Sequence, residues 1–218
     1  MNAKRHKVLI FDLDGTLIDS SASILAGFAA ALEKQKITPK VSLTAQIIGP
    51  PLRQTLAMLA GTDDESTIDL LASDFKSYYD TEGYKATRVF PGIDQMLRQL
   101  KAEGFELHIA TNKRILPTRL ILEHLNWSGL FQAVYALDLR TPAFPNKAAM
   151  LKQLLLDLEI DKTKASYIGD RPEDGQAADK NELAFYAAEW GYSPFVDNEA
   201  EQNWTKINSP KAFHMLLL

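Results

Sequence analysis

The apolar positions of this chain change their period along its length, and the changes divide it. Residues 8–11 (Val-Leu-Ile-Phe) are an unbroken apolar run of the length that predicts a short buried strand. Similar runs recur at 105–110, 133–137, 165–168 and 184–188. Between them lie segments of helical periodicity: 93–103, which Gly104 would stop, then 117–125, 148–158 and one that closes at 177–181. Strands alternating with helices predict an α/β fold, a doubly wound parallel sheet with helices on both faces.

Residues 17–86 break that rhythm. They carry helical patterns at 21–34, 52–59 and 65–79 and no convincing strand. A segment of that length can form a small helical unit. The predicted division is therefore a core domain of residues 1–16 and 87–218, with residues 17–86 inserted as a helical cap. The last stretch, 198–218, has no clear pattern before a closing helix at 210–217.

Composition narrows the class without choosing the function. The 218 residues are 46% hydrophobic and 24% charged, with a net charge of −4, as in an ordinary globular protein. A slightly acidic balance argues against nucleic-acid or anionic-membrane partners, which call for basic patches. With no cysteine, thiolate metal sites, disulfides and thiol nucleophiles are excluded. The basic start is followed by an apolar run too short for a secretory leader, and no run is long enough to span a bilayer. A cytoplasmic enzyme is the expectation; oligomeric state, monomer or dimer, is not readable. The four histidines are scattered without ligand spacing and read as structural.

The chemistry concentrates where the predicted strands end. In an open parallel sheet, ligands bind beyond the carboxyl ends of the strands. The first strand delivers Asp12-Leu13-Asp14-Gly15-Thr16, two carboxylates entering a Gly-containing turn. The next leads into Thr111-Asn112-Lys113, and the one ending near Leu137 leads through a Pro-rich loop to Asn146-Lys147. The strand ending at Ile168 runs into Gly169-Asp170-Arg171-Pro172-Glu173-Asp174. An acidic pocket of this kind repels a phosphate dianion unless a metal and a lysine neutralise it. The bland readings are a plain turn at 12–16 and helix capping by Asp170 and Asp174; the order of all four segments outweighs both.

In that order and spacing, these segments resemble the four motifs of the haloacid dehalogenase-like hydrolases. Ile48-Gly-Pro-Pro-Leu-Arg53, Pro91-Gly92 and Thr111-Asn112-Lys113 resemble phosphoglycolate phosphatase-like members with a type-1 helical cap. The resemblance implies a phosphatase for a small phosphorylated metabolite, with Asp12 as nucleophile and Asp14 as general acid and base. It implies Mg²⁺ held by Asp12, the Asp14 carbonyl and Asp170, with Asp174 behind or through water. Lys147, preferred over Arg140 and Lys152, would offset charge on the transferring group. Thr111, Asn112, Gly15 and Thr16, with backbone N–H groups of the 13–15 turn, would bind the phosphate. Arg53, in the cap, is a candidate for a carboxylate or second anion on the substrate.

There are departures from the family pattern. Asn181-Glu182 stands where relatives usually have a small residue and glycine, which points to an altered helix end rather than an altered site. The alternatives are a sugar-phosphate mutase and a phospho-ligand binding protein without turnover. Dehalogenase activity is disfavoured, because Asp14 has no task where no leaving group needs a proton.

Overall fold

A computed structural model describes residues 7–192 and 203–218. Its core is a six-stranded sheet in the order β5-β4-β1-β6-β7-β8. The strands are β1 (Val8–Phe11), β4 (Glu106–Thr111), β5 (Ala133–Ala136), β6 (Ala165–Gly169), β7 (Ala184–Ala188) and β8 (Thr205–Ile207). Every neighbouring pair is parallel. β1 lies inside the sheet, between β4 and β6, so its side chains are buried on both faces. That explains why its sequence reads as a continuous apolar run rather than an alternation.

The faces divide as the pleat requires. Leu9 and Phe11 point into one core, packed with α4 (Ile93–Ala102), α5 (Ile115–His124) and α8 (Pro210–Leu217). Val8 and Ile10 point into the other, shared with α6 (Lys147–Asp157) and α7 (Pro172–Asp179). The sheet is doubly wound, as the alternation of elements predicts.

α1 (Ser21–Lys34), α2 (Leu52–Ala60) and α3 (Glu65–Tyr79) bury a third apolar cluster among themselves, including Ile24, Phe28, Leu56, Leu71 and Phe75. The chain leaves the core through β2 (Ile18–Asp19) and returns through β3 (Arg88–Val89), which pair antiparallel. This ribbon and β8 escape the sequence pattern. β2 and β3 have two residues each, and only Ile207 of β8 is buried, so none is long enough to establish a period. Glu182 adopts φ +56° at the end of α7, where the Asn181 side-chain amide donates to Ala177 O (2.8 Å). The altered helix end is thus closed by a side chain, whose amide also donates to Ala148 O (3.0 Å) in the first turn of α6. Among the described residues, no helix is long and apolar enough to cross a membrane.

Candidate active site

Four segments meet at the carboxyl end of the sheet. β1 passes directly into Asp12 and Asp14, both buried. The turn between them and β2 closes on itself: the Gly15 N–H donates to Ile18 O (2.9 Å) and the Leu17 N–H to Leu13 O (2.9 Å). Gly15 has φ +86°, and a Cβ there would collide with the Asp170 carboxylate, so only glycine fits. β6 ends at Gly169, and Asp170 follows with no exposed surface. Its Oδ1 accepts from Thr16 Oγ1 (3.3 Å) and its Oδ2 from the Tyr192 N–H (2.9 Å).

Lys147 and Asp174 join from the two helix starts. Asn146 caps α6 by accepting from the Ala149 N–H (2.9 Å), which puts Lys147 at the first helical position. From there its ammonium donates to Asp174 Oδ1 and lies 3.0 Å from Asp12 Oδ1, an ion pair without hydrogen-bond geometry. Asp174 also accepts from the Arg171 N–H through Oδ2 (3.2 Å), so it caps α7 and binds Lys147 at once. Arg140 instead lies over the Phe144 ring at 4.2 Å, and Lys152 is exposed on α6.

Carboxylate oxygens of Asp12, Asp170 and Asp174 lie within 4.8 Å of one another, all three buried. Burial pushes Asp12 up to about 6 against the pull of Lys147, with Asp174 and Asp14 adding repulsion. Burial pushes Asp170 up to about 8, again with repulsion from Asp174 and Asp12. Burial opposes charge on Lys147, yet Asp12 and Asp174 hold its pKa well above the usual value. One lysine among three crowded acids leaves the cluster short of positive charge. A hard divalent cation with oxygen ligands suits this donor set.

Asp14 faces the other way. Both its oxygens lie 3.1 Å from Lys113 Nζ, and Ser20 Oγ donates to it. Lys113 also donates to Tyr79 Oη of α3 (2.9 Å) and sits 4.5 Å from the centre of that ring. Asp14 therefore stands where β1 meets the helical segment, on the floor of a cleft. Asp12 and Thr111 line that floor with it, and α1, α2, α3 and the 47–50 loop form the roof. Neither Lys113 nor Tyr79 stands out in the sequence. The triplet Thr111-Asn112-Lys113 carries the first as a family resemblance only, and the second reads as one of several apolar positions on α3.

Several predicted binding residues do something else. Arg53 does not reach the cleft: its guanidinium, half exposed, donates to Asp69 and Glu65 of α3. Two carboxylates on the adjacent helix outcompete a distant pocket. The Gly15 N–H and the Thr16 hydroxyl are spent on the turn and on Asp170. Asn112 donates through Nδ2 to Gly49 O (2.9 Å), which ties the roof to the floor, while its buried Oδ1 has no partner. Arg171 reinforces that link by donating to Ile48 O and Gln46 O (3.2 Å for the second).

A model of a family described as haloacid dehalogenase-like hydrolase matches residues 9–188. The chain is 29% identical over 204 residues to a 5′-nucleotidase of Pseudomonas aeruginosa, covering 92% of this chain and 90% of that one. It is 30% identical over 194 residues to a phosphoglycolate phosphatase of Aquifex aeolicus, covering 85% and 86%. It matches the tyrosine-protein kinase PtkA of Mycobacterium tuberculosis at 30% identity over 88% of this chain, but spans only 65% of that protein's length. A crystal structure of a predicted phosphatase from Clostridium acetobutylicum superposes with a TM-score of 0.86 at 28% identity, covering 97% of this chain and 98% of that one.

Proposed function

The chain belongs to the haloacid dehalogenase-like hydrolases, and from that premise we propose that this phosphatase is Mg²⁺-dependent and hydrolyses a small phosphomonoester through an aspartyl-phosphate. The observation that carries the reading is the placement of Asp12. It sits at the end of a fully buried strand, beside Lys147, with Asp14 turned toward the cleft from which a substrate would enter.

An Asp12 oxygen attacks phosphorus, forming an O–P bond as the ester P–O bond breaks. Asp14, entering this step in its protonated form, gives that proton to the departing alkoxide. Water then attacks phosphorus, Asp14 takes its proton, and the Asp12 carboxylate leaves as free phosphate forms. Lys147 holds Asp12 and Asp174 apart from one another's charge and lies where it can pair with oxygens of the transferring group. Thr111, buried at the end of β4, offers its hydroxyl to the same oxygens. Asp12, Asp170 and Asp174 would hold Mg²⁺, with the Asp14 carbonyl contributing. When bound, the ion supplies positive charge that lets a dianionic phosphate approach these carboxylates.

The test is phosphate release from p-nitrophenyl phosphate with Mg²⁺, and its loss in EDTA. Undiminished release in metal-free buffer would overturn the metal assignment. Isomerisation of hexose 1-phosphates with little free phosphate would favour the mutase instead.

A further inference from the structure

We propose that the cleft selects phosphomonoesters whose alcohol portion is uncharged and apolar, and disfavours a substrate that carries a carboxylate. This inference rests on the phosphatase reading above and concerns the part of the substrate that leaves.

Above the carboxylate floor, the cleft walls are Ile24, Phe28, Ile47, Leu52 and Phe75, with the Tyr79 ring beside them. The described residues lining the cleft include two cations, and both are engaged. Lys113 is buried against both oxygens of Asp14 and against Tyr79. Arg114 makes a two-pronged pair with Asp80 across the floor–roof boundary (2.8 Å for the Nη1 arm), with both side chains largely buried. Neither can turn to a substrate carboxylate without giving up its present partners, Asp14 and Tyr79 for Lys113 and Asp80 for Arg114.

Arg53 is the cation the sequence offers for a second anion, and it is anchored to Glu65 and Asp69 outside the cleft. A carboxylate-bearing ester such as phosphoglycolate would therefore desolvate a charge against apolar walls without a free partner. An uncharged alkyl or aryl group would replace water there at no such cost.

Isobutyl phosphate and phosphoglycolate make the comparison, because two methyls of one stand where two carboxylate oxygens of the other stand. With the full chain and Mg²⁺, kcat/KM for isobutyl phosphate is expected to exceed that for phosphoglycolate by at least about tenfold. Leu52→Arg, at the half-buried start of α2, adds a cation to the wall. It is expected to shift that ratio toward phosphoglycolate by about tenfold or more. Equal or faster turnover of phosphoglycolate by the unmodified protein, with p-nitrophenyl phosphate also turned over, overturns this inference and leaves the phosphatase reading standing. No phosphate from any of the three esters overturns both.

Discussion

The floor and the roof of the cleft are built on opposite principles. The floor rests on the cluster of Asp12, Asp170, Asp174 and Lys147, which has almost no exposed surface and so concentrates charge where charge is costly. The roof surrounds its own apolar cluster and gives the cleft methyl groups and ring edges. Local stability and chemistry are therefore divided between them. The floor tolerates electrostatic strain because two packed cores hold the strands beneath it. The roof packs around its own cluster and is tied to the floor by polar links such as Asn112–Gly49 and Arg114–Asp80.

The largest effect expected from breaking this contrast is at the floor. Asp12→Asn is nearly isosteric, so the far-UV spectrum and Tm should stay close to those of the unmodified protein. Turnover should fall by at least about 10⁴-fold, as when a nucleophile is removed from a catalytic unit. A folded Asp12→Asn protein with near-normal activity would sink the covalent route.

The roof should respond in the opposite way. Phe75 is buried, stacks on Tyr79 (5.3 Å between centroids) and lies tilted against Phe28 (4.9 Å). Phe75→Ala should cost about 3–5 kcal/mol of stability, measured by urea unfolding. A loss well under about 1 kcal/mol would mean that the helical segment draws its stability from elsewhere.

Asp14 lies on the boundary, and its role can be separated by leaving group. Asp14→Asn should slow an alkyl ester by about 10²-fold or more. The loss should shrink for nitrophenyl phosphate, whose leaving group needs little protonation. Equal losses on both esters would remove Asp14 from proton transfer.

The smallest effect is on stability against pH. Asp170, raised to about 8 by burial, keeps its proton when folded at pH values where the unfolded chain has released it. Between the unfolded value of about 3.9 and the folded one, the native state binds more protons, so stability falls as pH rises. Asp12, raised to about 6, acts in the same direction over the lower part of that window. Metal-free protein should therefore lose a few degrees of Tm from about pH 6 to about pH 9, and saturating Mg²⁺ should flatten the slope. A slope unchanged by Mg²⁺ would separate Asp170 from cation binding.

The floor was largely legible in the sequence, because each of its residues sits next to a strong local signal. Asp12 and Asp14 follow an apolar run, Lys147 follows a helix cap, and Asp170 and Asp174 flank a Pro at a helix start. In a parallel sheet, every such strand end is delivered to the same edge, so order along the chain predicts proximity. The helices of the roof were equally legible; α1 and α3 fall at the residues their periodicity marks, and α2 runs one residue further.

Partner choice was not legible. Arg53 and Lys113 are both basic residues near a motif, yet one is held outside by Asp69 and Glu65 and the other is buried against Asp14 and Tyr79. By itself the sequence determined the elements, the sheet and the acidic edge, because periodicity and caps act between residues a few positions apart. Only the tertiary structure decided which cations face the cleft and which are already paired. A charge is satisfied by whatever opposite charge folding brings within a few ångströms, and sequence distance does not measure that separation.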